Sequence, residues 1–102
     1  MPALTQFDVD AGRRLRRIRR GKEMQITALA RRTGFDRSAI HYLENGTLAL
    51  RPIVAALLLK GIGERPSPAE WGPLVCKLVE HLTLEELRAL RSTRPHEARG
   101  VA

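Results

Sequence analysis

The stretch Gln25-Ile26-Thr27-Ala28-Leu29-Ala30-Arg31-Arg32-Thr33-Gly34-Phe35-Asp36-Arg37-Ser38-Ala39-Ile40-His41-Tyr42-Leu43-Glu44-Asn45-Gly46 decides how this chain folds. Its apolar residues recur at helical spacing on both sides of a break. Ile26, Leu29 and Ala30 mark the inward face of a helix over about 26–33, and Gly34 ends it. Asp36 suits the N-cap of a following helix over about 37–44, which Asn45-Gly46 terminates. Ala30 is small where the two helices cross, and Gly34 can take the left-handed conformation a tight turn needs. Phe35 plugs the space between them. With Ile40 and Leu43 turned inward, the outward face of the second helix carries Arg37, Ser38, His41, Tyr42 and Asn45.

The flanks keep the same period. Asp8 and Asp10 open a helix with acids at its positive end, Ala11, Leu15 and Ile18 share one face, and Gly21 stops it. Downstream, Pro52 starts a fourth helix that ends near Lys60-Gly61. Ser67-Pro68-Ala69-Glu70 has the build of a helix start. Trp71, Leu74, Val75, Leu78, Val79 and Leu82 follow at 3-4 spacing, with Gly72-Pro73 imposing either a kink or a restart. Thr83 and Glu86 form a capping box before Leu84, Leu87 and Leu90, which are expected inward. No segment alternates long enough to make a strand, so the fold is expected to be all-α. Three segments are expected: a domain over 8–63, a helical extension over 67–92 and a flexible tail over 93–102.

Charge narrows the function classes. The chain has 102 residues and a net charge of +7, with 18 Lys plus Arg against 11 Asp plus Glu. Residues 13–51 hold eleven of the bases and only three acids, while residues 52–102 are close to neutral. This division points to one surface for a polyanion and another for a different contact. The bland counterpart is a solvated arginine-rich face. Hydrophobic residues make up 43%, enough for one core. The longest apolar run, residues 53–59, is far short of the roughly 20 that cross a membrane. The N-terminus lacks the build of a secretory signal, so a soluble cytoplasmic protein of bacterial or phage type is expected. The single cysteine, Cys76, excludes an internal disulfide framework; with His81 five residues on and no further ligand near, no metal site is expected. No nucleophile triad, paired carboxylates or phosphate loop is present, so no enzyme activity, cofactor or small-molecule substrate is expected.

A helix, a tight glycine turn and a second capped helix make the helix-turn-helix arrangement. Residues 15–46 also resemble the Cro and phage-repressor family, the xenobiotic-response-element type. The likeness rests on Leu15-Arg16-x-Ile18-Arg19, on Leu29-Ala30-x-x-x-Gly34 and on Ser38-x-Ile40-x-x-Leu43-Glu44-Asn45-Gly46, and it continues without gaps to Gly63. The resemblance implies a lambda-repressor-like bundle of about five helices, here with one or two more at the C-terminal side, whose third helix enters the major groove. It also implies a buried ion pair between Arg19 and Glu44. The chain departs from the family where Ser or Thr followed by Gln is usual, having Gln25 and Ile26. The loop Thr47-Leu48-Ala49-Leu50-Arg51, often basic in the family, carries one cation. Leu48 and Leu50 are either core plugs or contacts with a partner chain.

Roles follow from side-chain chemistry. Arg37 suits bidentate readout of guanine, with a phosphate contact as the alternative. Ser38, His41 and Tyr42 can reach base edges or the backbone. Gln25, Arg31, Arg32, Asn45, Thr47 and Arg51 are the expected phosphate contacts, Asn45 serving also as a helix cap. The function expected is a sequence-specific double-stranded-DNA-binding regulator, a repressor, working as a homodimer. Trp71, Leu74, Leu78, Leu84 and Leu87 are expected at the dimer interface; the alternative is that the last helices fold back onto the core. A second functional class is an antitoxin-like protein that binds a partner toxin through its C-terminal helices and regulates its own promoter.

Overall fold

Ile53 to Leu59 is too uniformly apolar to lie on a surface, and the fold is built around it. In a computed structural model, which describes residues 6–92 and the side chains of residues 9–91, this run forms the middle of a helix buried on nearly every side. The described residues form seven helices and no strand: α1 Gln6–Gly21, α2 Ile26–Thr33, α3 Arg37–Glu44, α4 Pro52–Ile62, α5 Pro68–Trp71, α6 Pro73–His81 and α7 Leu84–Ser92. None is long and apolar enough to cross a membrane. α4 is the axis, with α1, α2, α6 and α7 packed around it. A helix apolar all round is stable in water only when neighbours cover it. α1 begins before Asp8, whose side chain lies outside the described residues, as does the expected tail over 93–102.

Two local expectations are corrected by packing, and the choice between kink and restart at Gly72-Pro73 is resolved. α4 runs through Gly61 to a left-handed Gly63. Gly61 belongs inside the helix because α2 crosses there: a Cβ at Gly61 would meet Thr33 Cγ2 at 2.6 Å. Gly72-Pro73 is a restart, since Gly72 (φ 87°, ψ 157°) breaks the helix and Pro73 opens α6. On α7 the inward face is Leu84, Leu87 and Arg91, and Leu90 is 46% exposed. A period of 3.6 explains it. Position 91 returns to the side of 84, while 90 is rotated about 100° away.

One core runs through both expected segments, from Ala11 and Leu15 through α4 to Val75 and Leu87. The last helices therefore fold back onto α4. Trp71 and Leu87, expected between copies, are 4% and 0% exposed within the protomer; they serve its own core. Leu78 and Leu84 are half-buried against that core, and only Leu74 stands out from it, 55% exposed. In the loop before α4, Leu50 is a core plug and Leu48 stays exposed. Two caps form as their residues dictate. Glu70 N donates to Ser67 Oγ at 3.3 Å, while Thr83 N donates to Glu86 Oε1 (2.9 Å) and Glu86 N to Thr83 Oγ1 (3.1 Å).

Candidate nucleic-acid interface

α3 has eight residues, too short to hold its shape alone, so its placement comes from its neighbours. Ile40 and Leu43 are buried beneath it. Asp36 occupies the N-cap position in extended backbone, yet its side chain makes no capping bond. Phe35 anchors that end instead, buried at the corner, where its N–H donates to the hydroxyl of the buried Thr33. That hydroxyl donates in turn to Leu29 O at 2.8 Å, so the turn carries its polar groups satisfied. Gly34 supplies the left-handed residue (φ 79°, ψ 9°) that reverses the chain.

At the other end of α3, Glu44 meets Arg19 of α1 in a two-pronged pair, Nε to Oε2 at 2.6 Å and Nη2 to Oε1 at 2.9 Å. Both side chains are buried, at 8% and 4% exposure. The remaining Arg19 Nη1 donates to Met24 O at 2.7 Å. An acid at the negative end of a helix is ill placed without a cation, and Arg19 supplies it. Gly12 permits this approach of α1, because a Cβ there would strike the Leu43 carbonyl oxygen.

The outward face of α3 and the first turn of α2 enclose an open hollow of about 460 Å³, lined by Gln25, Ile26, Thr27, Arg37, Ser38, His41 and Tyr42. Tyr42 is half exposed, and its ring lies 6.1 Å from that of His41 at 57°. Five residues expected from the sequence to touch DNA are thus brought to one concavity. Its walls offer donors and acceptors of several kinds beside an aliphatic edge. A family model described as a helix-turn-helix domain matches residues 10–71, more than half of the chain. The chain belongs to the helix-turn-helix domain family. This is a family of DNA-binding domains, consistent with the Cro and repressor type. No curated protein and no solved structure compared with the chain matches it.

Around this helix-turn-helix domain the other expected contacts sit differently. Arg31, Arg32, Asn45, Thr47 and Arg51 do not line the hollow. Arg31 and Arg51 are exposed, Arg51 at the N-cap of α4. Arg32 turns toward the scaffold, Nη1 donating to Gly61 O at 2.9 Å near the end of α4. Asn45 is drawn back onto α3, its Nδ2 3.0 Å from His41 Nε2. The Thr47 hydroxyl donates to Tyr42 O at 2.9 Å. In α1, Arg14 is likewise occupied, paired with Glu70 at 3.4 Å and lying over the Trp71 ring at 5.4 Å. Sequence reasoning missed Thr27. The signal existed: with Leu29 and Thr33 buried, helical period turns Thr27 and Arg31, four apart, to the open side.

Proposed function

We propose that the protein is a sequence-specific regulator of transcription, a repressor that binds double-stranded DNA as a homodimer with α3 in the major groove. The hollow that joins Gln25 and Thr27 to Arg37, Ser38, His41 and Tyr42 carries this reading. It sits in the half of the chain with the excess of arginine. Arg37, at the first position of α3, takes guanine; Ser38, His41 and Tyr42 contact neighbouring edges. Gln25, Arg31 and Arg51 hold phosphates, the arginines supplying affinity through counterion release. Arg32, Asn45 and Thr47 contribute less, because scaffold partners already engage them. A cytoplasmic location follows from the role.

A second copy is proposed because one recognition helix covers only a half-site, and two helices about 34 Å apart meet successive major grooves. Exposed Leu74, with half-buried Leu78 and Leu84 nearby in sequence, supports α6 and α7 as the contact. The test is binding-site selection from random duplexes, followed by sedimentation of the wild type and Leu74→Glu. A pseudo-palindromic site, a dimeric wild type and a monomeric variant that prefers no full site are expected. A wild type that enriches no sequence would overturn the reading. A chain that stays monomeric until a partner protein is supplied would replace homodimer by antitoxin.

A further inference from the structure

Beyond the family-matched residues 10–71, α7 reaches back to the turn that launches α3. Arg91 lays its guanidinium over the Phe35 ring, 3.8 Å from the centroid. The Arg88 guanidinium lies beside Gly34, within 3.1 Å of where a Cβ would stand. Arg91 shares the face of α7 that carries Leu87, which is fully buried and fixes the helix against α4, and Arg88 flanks that face. Phe35 immediately precedes the N-cap of α3, and Asp36 makes no side-chain capping bond. The N-terminal end of the recognition helix is thus held through Phe35, and Arg91 covers the outer face of Phe35.

We propose that Arg91 is a positioning residue for DNA recognition: by stacking on Phe35 it sets the N-terminal end of α3, and with it Arg37 and Ser38, against the bases. This inference rests on the reading of α3 as the DNA-reading helix. A planar stack asks for a guanidinium, so lysine should not replace it. A phosphate contact would ask only for charge, and lysine would serve.

The test compares the full-length wild type, Arg91→Ala and Arg91→Lys on the selected duplex and on random DNA across a salt series, at a temperature where all three are folded. Both variants should lose about 2- to 30-fold on the selected duplex, with random-DNA binding and the salt slope unchanged. Single-base-pair changes in the duplex should show discrimination flattened at the positions that Arg37→Ala flattens, and kept elsewhere. Without DNA, exchange of the Ile40 amide, bonded to Asp36 O at 3.2 Å, should quicken in Arg91→Ala while that of α4 does not. Rescue by lysine, with a salt slope about one lower for alanine, would make Arg91 a phosphate contact and overturn the proposal. Unchanged specific binding in both variants would also overturn it. A wild type that selects no duplex would overturn the function itself, and unchanged Ile40 exchange would then remove the positioning role too.

Discussion

The two ends of α3 are each held by an arginine, and the two holds are unlike. At the C-terminal end Arg19 is buried and bidentate to Glu44. At the N-terminal end Arg91 stacks on a phenylalanine at the rim, with its own side chain half-buried. The first hold comes from α1, within the family-matched residues; the second comes from α7, beyond them. Burial makes the first a structural necessity, since removing one partner leaves an uncompensated charge in the core. The second stays in contact with water, where a cation–ring contact contributes less. More stability is therefore expected to rest on the C-terminal end of α3 than on its N-terminal end.

That contrast can be broken by experiment. Glu44→Gln should cost about 3–5 kcal/mol of unfolding free energy by urea titration, because it strands Arg19. A loss below about 1 kcal/mol would make the two ends equivalent. Gly12→Ala probes the same end through the backbone: its Cβ must push α1 away from the Leu43 carbonyl, and overpacking of this kind costs about 1–3 kcal/mol. A neutral result would mean that α1 shifts freely and that the tight approach to α3 is not required. Arg91→Ala should cost no more than about 1 kcal/mol by the same titration, as a cation–ring contact at the surface does. A cost like that of Glu44→Gln would erase the contrast.

The buried end was legible in the sequence, and the exposed end was not. Glu44 at a helix C-terminus calls for a cation, and Arg19 matched the family pattern that supplies one. The helices over 26–33 and 37–44 were readable because apolar period, glycine and cap residues agreed. α7 misled because three leucines at spacing three look like a stripe, whereas the helix turns position 91 inward and 90 outward. Nothing local marks an arginine as belonging over a phenylalanine 56 positions earlier. Trp71 and Leu87 misled for a related reason: an apolar face needs a partner, but sequence does not say whether that partner is α4 or another copy. The hollow was half legible, since period predicts which residues of α3 face out but not that the start of α2 closes the concavity with Thr27.

The claim that α3 reads bases is tested most directly at Arg37. Equilibrium binding of wild type and Arg37→Ala is measured on the selected duplex and on random DNA at one salt concentration. The expected result is a loss of about 1–3 kcal/mol on the selected duplex, relaxed discrimination at a single guanine position and unchanged binding to random DNA. Equal losses on both duplexes would contradict it, and would leave Arg37 a phosphate contact on a helix that does not read sequence there.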